Sequence, residues 1–407
     1  AAELVFAPAW REVDGVFEAG QGKKSWNSVF QGYHGPRMCA EQVEANDVPG
    51  NAPEPLRRVI WETMVRSGGA ISFAEFMALA LYHPEWGYYA RPGMRTGRRG
   101  DFYTNVSVGP AFGEILGWAA EARWRLAGEP AVFHLVEQGA HDGQLTDDLQ
   151  SGLVKRGSPL ASAARHWIVE PLPGRALALG TRFGDSVQVV ADLADIVAPQ
   201  GLFFCNELVD ALPVNVLVAR SGRWCERVVG WEKDGPVWLE RELQDDSLAE
   251  VMADLGEAGP EGRVTEFCPG RKQWVQQVGR LFPEGGWWWV FDYGEPGVRG
   301  ETLRCYAGHQ RTQDPFQEIG RLDITSDADF GAMSEEARAA GLEVRPLQDQ
   351  HDFLTREAVT WLLSIEQETS SVGHIPVELA SRIRQFRTLT HPGLMGRLFK
   401  ISEWRRL

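Results

Sequence analysis

Apolar residues recur along this chain in two rhythms. Val59, Ile60, Met64 and Val65 fall at helical spacing and predict a helix over Leu56–Ser67, after a linker-like run Asn51–Pro55. Beyond Gly68–Gly69, Ser72 and Glu75 stand as an N-terminal capping box for a helix over Phe73–Leu81. An aromatic loop (Tyr82–Tyr89), a basic loop (Arg91–Arg99) and a helix from near Pro110 follow. From Val132 the rhythm shortens. Apolar runs at Val132–Val136, His166–Val169, Val187–Val190, Leu202–Cys205 and Trp287–Phe291 alternate with helical stretches. That alternation predicts an α/β fold with a doubly wound parallel sheet. Acidic residues gather at the run ends: Glu137, Glu170, Asp192, Glu207 (after the amide Asn206) and Asp292. A long insertion separates the fourth and fifth runs, with a hairpin expected through Trp224–Val229 and Val237–Leu239. Leu398–Trp404 reads as a final strand pair. The expected organisation is an N-terminal extension of unread role (1–50), a helical part (51–130) and a sheet core (131–407) with an insertion at about 220–280.

Composition narrows the function classes. The 407 residues carry a net charge of −15, which argues against a non-specific nucleic-acid binder and suits a cationic partner. The five cysteines (39, 205, 225, 268 and 305) are scattered and form no C-x-x-C pair. That points to a reducing compartment and away from a zinc site, so no metal is expected. No apolar run is long enough to span a bilayer, and the first residues lack the basic start of a signal peptide.

The turn after the first run carries the first chemistry. Glu137 closes the expected strand, Gly139 and Gly143 shape a tight turn, and Gln144–Leu149 opens a helix whose N–H groups can face an anion. A dinucleotide turn wants G-x-G-x-x-G, but Gly139, His141 and Gln144 occupy those positions. The E-x-G-x-x-x-G spacing instead suits S-adenosylmethionine, which brings a small carboxylate and a sulfonium. The plainer reading is a turn that needed two glycines for geometry. Glu170, twenty-seven residues after Gly143, can accept both ribose hydroxyls of an adenosine ligand, and Asp192 its amino group; a loop carboxylate explains Asp192 nearly as well.

Phe204–Pro213 places Asn206, Glu207 and Asp210 at the mouth of the fourth run. Such groups can hold a cationic nucleophile and take its proton, or they can simply start a helix. Cys205 reads as a small buried hydrophobe rather than a nucleophile, Trp287–Trp289 as packing, His141 as a polar turn residue, and Arg95, Arg98 and Arg99 as solvated charges. There is no G-x-S-x-G and no G-x-x-x-x-G-K-[ST], so serine hydrolase and P-loop readings have no support.

Several motifs in order resemble the MidA-like S-adenosylmethionine-dependent methyltransferases, whose mitochondrial member is an arginine methyltransferase needed for respiratory complex I assembly. Ser72-Phe73, Phe76-Met77, Leu81-Tyr82-His83-Pro84 and Gly87-Tyr88-Tyr89 look like the family's opening helix and loop. Gly100-Asp101-Phe102 with Thr104 is similar to its G-D-F-x-T segment, and Glu137-Gln138-Gly139 to Gly143 to its E-x-G-x-G-x-G turn. Asn206-Glu207 with Asp210-Ala211-Leu212-Pro213 matches the N-E-x-x-D-A-L-P signature, the most specific of the set. Asp292-Tyr293-Gly294, Thr302-Leu303-Arg304, Asp323-Ile324-Thr325 and Phe399-Lys400 continue it.

The resemblance implies a class I methyltransferase Rossmann-like sheet and S-adenosylmethionine as cofactor. Its expected contacts are Gly100, Asp101, Thr104, Glu137, Gly139, His141, Gly143, Glu170 and Asp192. It also implies Asn206, Glu207 and Asp210 near the transferred methyl, and a protein arginine as acceptor, in cytoplasm or mitochondrial matrix. Two departures stand out. His141 replaces the middle glycine, and Asn105-Val106-Ser107 follow Thr104 where the family usually has S-P-E. The second removes a glutamate that could face substrate, which makes a small-molecule methyltransferase credible; a non-catalytic assembly factor is the third reading, and the intact Asn206, Glu207 and Asp210 argue against it.

Overall fold

The run Gly285–Asp292 shows why a sheet forms. Seven of its eight residues are buried, as in a strand covered on both faces, where no polar alternation is needed. Trp287, Trp289 and Phe291 point into one core; Trp288 lies on the opposite face, its indole N–H donating to the Val278 carbonyl at 2.8 Å. The computed structural model describes residues 10–13, 16–19, 54–91, 104–233, 235–243, 245–297, 300–307, 310–372 and 376–407. The chain folds into two compact units, each assembled from separate segments.

The larger unit (Arg95–Asp210, Lys272–Val298, Asp327–Leu407) holds the central sheet. Its main strands are β1 (Phe133–Gln138), β2 (Ala164–Val169), β3 (Val187–Val190), β4 (Gln200–Asn206), β5 (Gly285–Asp292) and β6 (Lys400–Arg406). Their order is β6-β5-β4-β1-β2-β3, with short pieces Glu343–Val344 and Gln348–Asp349 beyond β6. β1 to β5 run parallel, and β6 is antiparallel to β5. This is the class I methyltransferase arrangement that the resemblance implies. β1 pairs with both β2 and β4, so the chain reverses its winding there. In such sheets the ligand crevice opens beyond the carboxyl ends at that switch point.

Helices α1 (Ala111–Leu126) and α2 (Gln144–Lys155) cover one face. Phe112, Leu116 and Leu149 join Leu135, Phe204 and Trp289 in the largest core, with Phe353 and Trp361 from helices nearer the C-terminus. On the other face Trp274 packs on Phe203 and Trp404, while α3 (Pro173–Phe183) supplies Leu179 to a small cluster with Ile168 and Val187.

The smaller unit (Ala1–Met94, Ala211–Arg271, Arg299–Ser326) is built on an antiparallel sheet. Strands Gly235–Glu242, Arg223–Glu232, Asn215–Arg220 and Val264–Phe267 pair in that order, and Ala70–Ser72 joins Arg223–Glu232. The expected hairpin is therefore present but longer at both ends. The capping box is present too: Ser72 Oγ accepts from Glu75 N–H at 3.1 Å, and Glu75 Oε2 accepts from Ser72 N–H at 3.0 Å. Trp10–Val13 and Val16–Ala19 pair as a short antiparallel ribbon within the N-terminal extension.

Three expectations change. The units do not divide at 130/131: α1 belongs with the sheet core, and residues 211–271 belong with the N-terminal helices. The last strand is one strand, Lys400–Arg406, rather than a pair. Glu137 does not close β1, which runs on through Gln138 because both side chains find partners inside: Glu137 Oε2 accepts from Thr146 Oγ1, and Gln138 Oε1 accepts from the Trp274 indole at 3.0 Å.

Candidate active site

The carboxyl ends of adjacent strands bring the predicted residues to one edge of the sheet. After β1, Gly139 and Gly143 take left-handed backbone (φ +78° and +83°) and His141 does so as well (φ +53°). Such angles are ordinary for glycine and costly for histidine. A Cβ on Gly139 would lie 3.0 Å from Leu208 Cδ1, so this turn lies against the turn after β4. Arg182 of α3 braces it, donating to the Asp142 carbonyl at 2.6 Å and to Asp147 Oδ2 at 2.8 Å. Among the described residues neither ring nitrogen of His141 has a partner within hydrogen-bond distance; Nδ1 lies 3.7 Å from Asp142 Oδ1.

Glu170 follows β2. Its carboxyl is buried and accepts from Leu172 N–H at 2.8 Å; burial pushes it up to about 7. Asp192 follows β3 and accepts from Ala194 N–H at 2.8 Å, the local capping role that a loop aspartate takes. Glu137 faces Thr146 at the start of α2, and burial pushes its carboxyl up to about 7. Thr104 forms a turn with Ser107, whose N–H lies 3.1 Å from Thr104 Oγ1. Gly100 and Asp101 lie outside the described residues, as do Arg95, Arg98 and Arg99.

The N-E-L-V-D segment does not start a helix; residues 207–212 form bends and turns. Glu207 is held at φ +55° with its N–H on the Phe291 carbonyl at 2.9 Å. Asp292, fully buried at the end of β5, gathers the next three residues: its Oδ2 accepts from the N–H of Leu208, Val209 and Asp210 at 3.1, 2.7 and 3.2 Å. Asn206 Nδ2 donates to Glu207 Oε1 at 2.7 Å, and Asn105 donates to Asn206 Oδ1 at 2.8 Å. Asp210 is buried beside them. Cys205 is fully buried, and burial with the charges of Asp292, Glu137 and Asp210 drives its thiol well above the usual range, so it is no thiolate nucleophile.

Two buried residues that join this hydrogen-bonded cluster escape sequence reading. Asn105 registers there only as a departure from S-P-E, and Gln350, which donates to Asn105 Oδ1 at 2.8 Å, gives no signal. Among the described residues no His, Cys, Asp and Glu group has the makings of a metal site.

The geometry is matched by kinship. The model of a family of S-adenosyl-L-methionine-dependent methyltransferases matches residues 115–347. The protein named mitochondrial protein arginine methyltransferase NDUFAF7 in Xenopus laevis is 28% identical over 361 residues, covering 83% of this chain and 81% of its own. Its human counterpart is 25% identical over 370 residues, covering 84% and 81%. A COG1565 superfamily structure from Burkholderia thailandensis, bound to S-adenosyl-homocysteine, aligns with a TM-score of 0.72 at 25% identity over 88% of this chain and 95% of that one. The family model spans more than half of the 407 residues, and the chain belongs to the MidA-like family of S-adenosylmethionine-dependent methyltransferases.

Proposed function

We propose that this enzyme methylates a nitrogen of an arginine side chain in a protein. The observation that carries the reading is Glu207, fixed at positive φ beside Asn206 and Asp210 at the mouth of β4. A carboxylate held in costly backbone marks a site where position matters more than stability. The names of the relatives, protein arginine methyltransferases of mitochondria, support the acceptor and suggest the matrix or its bacterial counterpart as the setting.

S-adenosylmethionine, when bound, would supply an electrophilic methyl on a sulfonium for a nitrogen to take, with the thioether as leaving group. The backbone of Gly139, His141 and Gly143 would hold its methionine end, Glu170 the ribose hydroxyls and Asp192 the adenine. Glu137 would support this turn from within through Thr146, and Gly100, Asp101 and Thr104 would add contacts from the G-D-F-x-T segment. The left-handed turn from Gly139 to Gly143 and the buried Glu170 carboxyl at the end of β2 fit that assignment. Glu207 and Asp210 would orient the guanidinium and receive its proton, with Asn206 fixing Glu207. Orientation and exclusion of water then supply much of the acceleration.

The test uses tritiated S-adenosylmethionine with cell protein as acceptor, followed by acid hydrolysis. Label in methylarginine, lost in Glu207→Gln, is the expected result. Label confined to small metabolites would move the enzyme to a small-molecule acceptor, the reading that the Asn105-Val106-Ser107 departure favours. Equal labelling by wild type and Glu207→Gln would remove the role given to Glu207.

A further inference from the structure

We propose that Asn105 and Gln350 are positioning residues that set the charge state and orientation of Glu207 through a one-way chain of amides. This rests on the reading of Glu207 as proton acceptor.

The chain begins at a group that can only accept. The backbone carbonyl of Leu389 takes a hydrogen from Gln350 Nε2 at 3.0 Å, so the Gln350 amide must turn its nitrogen that way. The same nitrogen gives its second hydrogen to Asn105 Oδ1 at 2.8 Å. With its oxygen occupied, Asn105 presents Nδ2 to Asn206 Oδ1 at 2.8 Å. Asn206 in turn presents Nδ2 to Glu207 Oε1 at 2.7 Å. One carbonyl thus fixes the direction of three amides, and the last link ends on the carboxylate. The backbone N–H of Asn105 reaches the same oxygen at 3.3 Å.

Asn105 and Gln350 are both fully buried, so water does not offer a substitute for either link. An oxygen that receives two N–H groups cannot also carry a proton toward them. Donors of this kind favour the charged form of a carboxyl and lower its titration midpoint. The two donors therefore favour the ionised form of Glu207 against the neighbouring buried carboxyls of Asp210 and Asp292, and they hold its Oε1 inward. Flipping any one amide would set oxygen against oxygen in the next link, so the arrangement is cooperative rather than a set of separate contacts. Residue 105 thereby gains a role: where the family usually places S-P-E, this chain carries an amide that reaches the catalytic segment directly, while Ser107 turns back on Thr104.

The experiment labels glutamate with carbon-13 at the side-chain carboxyl and follows Glu207 by NMR through a pH titration, its resonance identified by loss in Glu207→Gln. Asn105→Ala and Gln350→Met break the chain without adding charge; Asn105→Ser restores a group that both accepts and donates. The Glu207 midpoint is expected to rise by about one pH unit in the two breaking variants and to return part of the way in Asn105→Ser. Binding of S-adenosylhomocysteine, measured by calorimetry, should stay within about two-fold of wild type, which separates positioning from unfolding. Transfer from tritiated S-adenosylmethionine should fall about ten-fold in kcat. Variants that bind S-adenosylhomocysteine normally yet titrate as wild type would overturn the chain while leaving Glu207 its role. Full transfer by Glu207→Gln would instead overturn the role of Glu207, and with it the purpose of the chain.

Discussion

The carboxylate of Asp292 accepts a hydrogen bond from the backbone N–H of Val209 at 2.7 Å. The two residues come from different strand ends, and the contact ties the turn after β4 to the end of β5. Leu208 and Asp210 donate to the same oxygen, and Tyr293 N–H donates to the other at 2.8 Å. Asp292→Ala leaves four N–H groups without their acceptor, those of Val209 and Asp210 buried and those of Leu208 and Tyr293 half-buried, at about 1–3 kcal/mol for each buried one that finds no other. The expected loss is about 3 kcal/mol or more, read from urea unfolding, with Asp292→Asn losing less because one oxygen remains. A loss below about 1 kcal/mol for Asp292→Ala would show that the turn holds its shape without this anchor.

His141 is a different case, because among the described residues its ring has no polar partner closer than Asp142. It sits at φ +53°, 22% exposed, with Nδ1 3.7 Å from Asp142 Oδ1, beyond hydrogen-bond range. His141→Gly relieves the backbone cost and is expected to stabilise the protein by about 1 kcal/mol after the flexibility of glycine is counted. Affinity for S-adenosylhomocysteine should change little if the turn binds through its backbone. A lower melting temperature together with weak binding would instead assign the imidazole a direct role.

Gly143 tolerates less than Gly139. A Cβ at 143 would lie 2.5 Å from Phe183 Cε2 and 2.9 Å from Leu179 Cδ2, whereas one at 139 meets Leu208 Cδ1 at 3.0 Å. Both carry the strain of positive φ, but only the Gly143 side runs into an aromatic ring packed in a core. Gly143→Ala is expected to cost about 2–4 kcal/mol and Gly139→Ala about 1–2 kcal/mol. Melting curves of the pair decide it, and the reverse order would contradict the packing argument.

What was legible in the sequence follows from how local each cause is. β5 was readable because burial on both faces leaves an unbroken apolar run. The Ser72–Glu75 box was readable because its partners are three residues apart. Asn206, Glu207 and Asp210 were visible as polar groups at a strand end, but their turn was not. It is held by Asp292, 82 residues beyond Asp210, and locally the segment looks like a helix start. Gln350 reaches Asn105 across 245 residues and has no pattern of its own. The pairing of Ala70–Ser72 with Arg223–Glu232 is also long-range, which is why the unit boundary lies elsewhere than the apolar pattern places it.

Glu170 makes the site sensitive to pH in two opposite ways. Burial raises its carboxyl from 4.5 to about 7 in the folded protein, as it does for Glu137. The folded state then holds protons that the unfolded chain releases between pH 4.5 and about 7, so each group's stabilising contribution is complete below that window and is lost as pH rises through it. Without ligand, melting temperature should fall from pH 6 to pH 8, with roughly 1 kcal/mol from each group. Cofactor affinity should move the other way, because accepting ribose hydroxyls requires the ionised carboxylate, and it should strengthen as pH rises through about 7. Glu170→Gln removes its own titration but keeps the shape, so the affinity slope should flatten and the stability slope should lose the Glu170 share while those of Glu137 and Asp292 remain. Its affinity at pH 8 should drop about ten- to hundred-fold, the equivalent of about 1.5–3 kcal/mol for hydrogen bonds to a charged group. Calorimetric titrations with S-adenosylhomocysteine and thermal melts at pH 6 and 8 give both readings on the same samples. Parallel slopes in wild type and Glu170→Gln, with equal affinity, would remove Glu170 from the cofactor site.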